Sequence, residues 1–349
     1  MRQAYRELGL EVEAWMPRPS DHMRPANVAA IIEKIGSKRE TGHLTVEPGA
    51  GSIEFVGKHS ASRRKAASNV VQLRDSLVHR GYTVLNRMDS PFPTTQFDPQ
   101  NMKPRYRALW DAARLEVENL SGGKSKQWKR LGMMNNRAAT HVHFSFDGHK
   151  IALDGVDDRI VVAVETLKAV APRLAKILCR KYKVVNTGHP GIWHFWCDPN
   201  RTTQFGDWCG TFEQKRDTFE KLTRFMKCVG GDKETGKWML DLETPLLWND
   251  EDNHGSGAWH FVRERPTLGT FEVRMLPSWP VEHLEAVLID IDRFVRYIVS
   301  IAEEAVGMLS YAEMRESAYW EKVCTFPIGG VECIPLDYSF TEWCDDCYR

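Results

Sequence analysis

Four short segments of the 349-residue chain set carboxylates, imidazoles or a guanidinium among apolar residues, in strict alternation in three of them. They are Gly9–Trp15 (GLEVEAW), Glu47–Phe55 (EPGAGSIEF), Thr140–Phe146 (THVHFSF) and Thr270–Leu276 (TFEVRML). Side chains alternate between the two faces of a β-strand. Read as strands, these segments put Glu11 with Glu13, His141 with His143, and Glu272 with Arg274 on one face. Leu10, Val12, Val142, Phe144, Phe271, Val273 and Met275 then point the other way, into a core. One sheet would carry carboxylates, imidazoles and a guanidinium over an apolar back. Carboxylate oxygens with an imidazole suit Mg2+ or Mn2+. Such a surface is expected to hold divalent ions and the phosphate of a nucleotide.

The polar strands lie far apart in sequence, so one sheet must gather them, which predicts a single domain rather than a string of modules. Residues 8–16 read as a strand, and residues 26–36 as a helix ended by Gly36. Residues 43–57 hold two short strands around the Pro48–Gly51 turn. Ser60 is the expected N-cap of a helix to about Arg80, with Ala67, Val70, Val71, Leu77 and Val78 at helical spacing and Gly81 beyond its end. Further helices are expected near Tyr106–Leu120, over about 157–181, and from about Val281 to Val306. Residues 89–104 are Pro-rich loop, and Gly122–Arg130 is a basic flexible loop. The Gly-Lys-Ser triplet at 123–125 lacks the earlier glycine of a phosphate-binding loop, so that motif fails.

Composition narrows the class. The chain is 42% hydrophobic and 27% charged, as globular proteins are. Lys plus Arg and Asp plus Glu number 47 each, so net charge supplies no general pull toward nucleic acid or an anionic membrane. No apolar run reaches the ~18 residues of a membrane span. Glu7, Glu11 and Glu13 interrupt what would be the apolar core of a signal peptide, so a cytoplasmic location is expected. Eight scattered cysteines suit reduced thiols. Cys333, Cys344 and Cys347 near the C-terminus lack the partners of a structural zinc site.

At this point a family resemblance emerges. Gly9-Leu10-Glu11-Val12-Glu13 resembles the GxExE opening strand of glutamate–cysteine ligases. Leu44 to Gly49, followed by Ser52-Ile53-Glu54-Phe55, is similar to the LEPGGQFELS segment of the plant and proteobacterial type, with one more residue between Glu47 and Glu54 than that segment has between its glutamates. Met133-Met134 through His141-Val142-His143-Phe144-Ser145 resembles the next strand of the metal face. Ile192-Trp193 through Asp198-Pro199-Asn200-Arg201 is similar to the IWTDTDPDR segment with one residue inserted, and Glu272-Val273-Arg274 to a late ExR. All five occur in the family's order, over roughly residues 8 to 280. The wider group is the carboxylate–amine ligases, or amidoligases. One departure is chemical: the family carries an arginine shortly before the Ile-Trp pair, and this chain has Gly188-His189-Pro190-Gly191 there. That arginine helps to hold an amino-acid substrate in the family. The likeness therefore points to the reaction class more than to glutamate as substrate.

The resemblance implies an α+β, glutamine-synthetase-like catalytic domain over residues 1–310, with a curved, mainly antiparallel sheet and helices on one face, and a C-terminal extension over 311–349. It implies ATP and Mg2+ (or Mn2+) as cofactors, and formation of an amide bond through an acyl phosphate. Glu11, Glu13, Glu47, Glu54, His141 and Glu272 would be the metal ligands, with Glu54 or Glu13 a candidate base as well. Arg274, with Arg263 or Arg265, would steady the transferring phosphoryl group, and Lys124 lies in a loop able to close over phosphate. His143, Trp193, Asp198 and Arg201 would face the substrate or nucleotide. The expected partners are small-molecule or peptide carboxylates and amines. Neither nucleic acid nor a membrane is expected as a partner. Alternatives within reach are a glutamate–cysteine ligase proper, a phosphotransferase that stops at a phosphorylated substrate, and a non-catalytic binding protein on the same fold. Each pair of residues alone has an ordinary reading: a solvent-facing edge, a satisfied histidine, a cross-strand ion pair. The ordered set favours a site.

Overall fold

The computed structural model describes residues 7–47, 49, 51–87, 90–92, 138–145, 158–184, 262–265, 270–308, 311–330 and 332–337. The expected helix at 106–120, the Lys124 loop, and the segment bearing Trp193, Asp198 and Arg201 lie outside the described residues. So do Cys344 and Cys347.

The alternating segments are strands. β1 runs Glu7–Trp15, β2 Pro17–Arg18 and β3 Asp21–Pro25. β4 is Lys38–Arg39, β5 Gly42–Val46, β6 Ser52–Ser60 and β7 Ala139–Ser145. β8 is Val262–Arg265 and β9 Thr270–Pro277. Seven of them form one sheet in the order β4-β5-β6-β1-β7-β9-β8, with every pairing antiparallel. β2 and β3 make a separate hairpin. The longest strands, β1 and β6, pair along most of their length at the centre.

Six α-helices are described: α1 Val28–Ile35, α2 Arg63–Val78, α3 Asp158–Tyr182, α4 Leu284–Ile301, α5 Tyr311–Arg315 and α6 Ala318–Thr325. Asn27 caps α1 by accepting from the Ala30 N–H, and the helix ends at Gly36 as expected. The cap of α2 differs from expectation. β6 continues through Ser60, and Ser62 is the residue whose hydroxyl accepts from the Lys65 N–H. Ser60 instead accepts from the Ser62 N–H, so the two serines act in relay across the strand-to-helix corner. The predicted helix over 281–306 is α4 flanked by 3₁₀ turns at Val281–His283 and Ala302–Ala305.

The apolar side of the sheet is the core. Leu10, Val12, Val142, Phe144, Phe271 and Val273 are buried with Val70 and Leu73 of α2, Leu167 and Leu174 of α3, and Leu288 and Ile291 of α4. Phe144 stacks on Phe271 across β7 and β9, ring centroids 5.0 Å apart. Gly57 is where α2 comes closest to the sheet. A Cβ there would stand 2.8 Å from Val70 Cγ2 and 3.2 Å from the Leu10 carbonyl oxygen. A salt-bridged knot joins α2 to α4: Arg63 and Arg296 both bind the fully buried carboxylate of Asp292. Residues beyond α4 join this core, among them Met314, Tyr319, Trp320, Val323 and Ile328. Among the described residues, no helix is long and apolar enough to cross a membrane.

Candidate active site

The opposite face of the sheet collects the ionisable residues, and strand register decides who meets whom. Glu13 of β1 stands opposite Glu54 of β6, while Glu11 stands opposite His141 of β7. His143 lies opposite Gly9 on one side and Glu272 of β9 on the other. Glu272 in turn stands opposite Arg263 of β8, and Thr270 opposite Arg265. Four strands thus converge on His141, the central imidazole.

Two triads share that imidazole. Glu11, His141 and Glu272 have ligand atoms within 4.8 Å of one another, and so do Glu13, Glu54 and His141. His141 Nδ1 lies 3.2 Å from Glu11 Oε2 and 3.4 Å from Glu272 Oε1. Its Nε2 is 4.0 Å from Glu13 Oε1. Two carboxylates at Nδ1 favour a proton on that nitrogen. The tautomer then leaves the Nε2 lone pair facing Glu13, the carboxylate–imidazole–metal arrangement of many metal sites. Arg274 Nη1 donates to Glu272 Oε1 at 2.9 Å, with both side chains buried.

Burial and neighbours set the charge states. Burial alone would raise the Glu11 carboxyl, but His143 and His141 beside it hold it well below the usual carboxylate range. Burial raises Glu13, and the nearby Glu47 carboxylate pushes it further, well above that range. Burial and then the Arg274 guanidinium lower His141, which favours the neutral ring a metal needs. Glu47 sits just past β5, half-buried, and reaches the group through this repulsion of Glu13.

The donor set fits hard to borderline divalent ions. Ligands about 2.1 Å from such an ion lie about 3 Å apart when adjacent and about 4.2 Å apart when opposed. The 4.0 Å from the His141 Nε2 to Glu13 Oε1 falls in that interval. A cation would also relieve the crowding of Glu13 by Glu47. On these grounds the residues present fit a metal centre.

Of the residues expected at the site, Glu11, Glu13, Glu54, His141, His143, Glu272 and Arg274 share this face, with Glu47 at its rim. His143, expected to face substrate, is buried with Nε2 3.3 Å from Glu11 Oε1. Arg263 and Arg265 are placed only as positions in β8. Supporting residues were not legible. The Ala139 N–H donates to Glu13 Oε2 at 2.8 Å, and the Ser278 hydroxyl binds the Glu13 carbonyl. Gly9 lets the His143 ring lie across β1, where a Cβ would stand 3.2 Å from His143 Cβ. Only the glycine carried a signal, as the one small residue on the polar face of β1.

No protein-family model matches the chain, and no curated protein matches it in sequence. Two of the solved structures that the chain matches align with nearly its whole length. One is a glutamate–cysteine ligase from Francisella tularensis in complex with AMP, at 14% identity, covering 99% of this chain and 82% of that one, with a TM-score of 0.45. The other is a bifunctional glutathione synthetase from Pasteurella multocida, at 11% identity and a TM-score of 0.41, with 99% and 47% covered. The chain spans about half the length of the second protein.

Proposed function

We propose that the chain is an ATP-dependent carboxylate–amine ligase, an amidoligase that forms an amide bond by way of an acyl phosphate. One observation carries this reading: Glu11, Glu13, Glu54 and Glu272 converge on His141, with Arg274 against Glu272, on the polar face of an antiparallel sheet. The ordered motifs shared with glutamate–cysteine ligases support it. Phosphoryl transfer is catalysed by positioning and by neutralising charge on the phosphate oxygens. Glu13, Glu54 and the His141 Nε2 would hold one divalent ion, and Glu11 with Glu272 another. Bound ions supply that neutralisation.

The chain's own residues do the remaining work. Arg274 is held in place by Glu272, so its guanidinium needs little reorganisation to meet an oxyanion. Glu11 keeps the Nδ1 proton of His141 in place and so fixes the ring's orientation. Glu54 is the candidate base for the attacking ammonium group, on the strand facing Glu13. The apolar layer behind the sheet holds these groups in register.

The test is ADP release from ATP, with Mg2+ or Mn2+, against a panel of acids and amines. Release that requires both an acid and an amine, with an amide as product, supports the proposal. Release without an amine indicates a phosphotransferase, and a thiol-containing dipeptide from glutamate and cysteine indicates a glutamate–cysteine ligase proper. Metal-dependent ATP binding without turnover on any pair would overturn the enzymatic reading.

A further inference from the structure

His143 is the residue of the polar face whose chemistry the proposed reaction leaves unused. It is 7% exposed, and among the described residues its Nε2 has no hydrogen-bond partner. That nitrogen nevertheless stands 3.3 Å from Glu11 Oε1, close to a carboxylate but out of line for a hydrogen bond. Buried polar atoms are almost always partnered, so an exception calls for a physical reason. The same carboxylate meets His141 Nδ1 through its other oxygen, Oε2, at 3.2 Å. Glu11 therefore lies between two imidazoles. Gly9 makes this possible, because any side chain there would press on the His143 Cβ from 3.2 Å.

The spacing has a chemical reading. A separation of 3.3 Å between nitrogen and oxygen suits two adjacent ligands of one ion with bonds of about 2.1 to 2.3 Å. It gives the buried nitrogen the partner it lacks. The His141 Nε2 faces a different pair of carboxylates, Glu13 and Glu54. The two imidazoles thus serve different positions. Imidazole suits transition metals, whereas Mg2+ prefers all-oxygen ligands and retained water.

The geometry points to His143 as a metal ligand. With Glu11 it forms a cation position distinct from the Glu13–Glu54–His141 position, and that position takes a borderline divalent ion such as Mn2+ in preference to Mg2+. Water or a phosphate oxygen completes its shell. This inference rests on reading the face as a divalent-ion site, but not on any particular substrate.

The experiment is pulsed electron paramagnetic resonance on the full chain loaded with Mn2+ alone, without nucleotide, together with Mn2+ and Mg2+ titrations. Wild-type protein at saturating Mn2+ is expected to show two imidazole nitrogens coupled to manganese. His141→Ala should keep one of them. His143→Gln should lose the other and weaken one Mn2+ site on the order of tenfold or more, with Mg2+ affinity unchanged. A single coupled nitrogen in wild type, or none in folded His141→Ala, overturns the assignment. Unchanged Mn2+ affinity in folded His143→Gln does the same. If the variants do not fold, the wild-type nitrogen count decides alone. Absence of ADP release with two coupled nitrogens sinks the ligase proposal and leaves this one standing. Turnover with a single coupled nitrogen does the reverse.

Discussion

Glu13 and Glu11 share one strand face two residues apart, yet their carboxyls shift in opposite directions, and each shift has a pH window. Burial and Glu47 raise Glu13 above its ordinary value of 4.5. In the metal-free protein the folded chain keeps a proton that the unfolded chain has lost. Stability must therefore fall as pH rises from 4.5 through the raised value. Glu11 is lowered, so its contribution is present above 4.5 and is lost only as pH falls below that point. Melting temperatures over the acidic to neutral range, in chelator, should fall more with pH in wild type than in Glu13→Gln; the difference isolates Glu13 from His141, whose lowered value acts in the opposite direction below 6.5, and from Asp292, raised to about 6. Saturating Mn2+ should reverse the fall due to Glu13, because the ion replaces the proton. Identical pH profiles in wild type and Glu13→Gln would rule out the repulsion assigned to Glu13 and Glu47. Glu54→Gln and Glu272→Gln test catalysis directly. Each removes a charge while keeping shape. Turnover should drop by about 10²-fold or more, the scale for loss of a key electrostatic group. Circular dichroism should stay unchanged. Arg274→Lys should reduce kcat far more than ATP affinity, since a lysine cannot reproduce planar bidentate contact with a transferring phosphoryl group. Normal kcat in that variant would remove Arg274 from the reaction.

At the scale of elements, β1 and β6 matter most, because they bring Glu13 and Glu54 face to face, and α2 braces them from behind. That brace depends on Gly57. Gly57→Ala puts a methyl group 2.8 Å from Val70 Cγ2, with backbone oxygen on the other side. The helix must shift, at a cost of about 1–3 kcal/mol. Adding Val70→Ala opens the space that the methyl group needs. The double variant should therefore cost less than the two single changes added together, a coupling that a double-mutant cycle by denaturant unfolding measures. Strict additivity would show that the close approach carries no strain. The position of α2 explains the misread cap. Ser60 and Ser62 have equal cap chemistry, and only the length of β6 pairing against β1 selects between them.

At the scale of the molecule, described residues beyond α4 belong to the same core as the sheet. Tyr319 and Trp320 are among the largest fully buried side chains, and the Tyr319 hydroxyl meets Thr166 of α3 at 2.7 Å. A chain ending at residue 310 would expose the surface of α3 and α4 that these residues cover. We expect it to lose cooperative unfolding, and Trp320→Ala in the full chain to cost about 3–5 kcal/mol. A truncated chain that melts cooperatively at the wild-type temperature would make the segment dispensable.

Period-two alternation in GLEVEAW, THVHFSF and TFEVRML was enough, by itself, to read the strands, the apolar back and the shared face of Glu11, Glu13, His141, Glu272 and Arg274. Alternation is a local rule: the pleat turns successive side chains to opposite faces whatever the strand pairs with. The helices of the back followed from spacing and end residues for the same reason. Register across strands distant in sequence is not local. Pairing decided that His141 stands against Glu11, that Glu13 meets Glu54, and that His143 turns its nitrogen to a carboxylate. It also decided which serine caps α2 and that Tyr319, Trp320 and Val323 join the core. Those outcomes depend on which strands lie side by side and on what the packed helices exclude, and only the folded chain sets both.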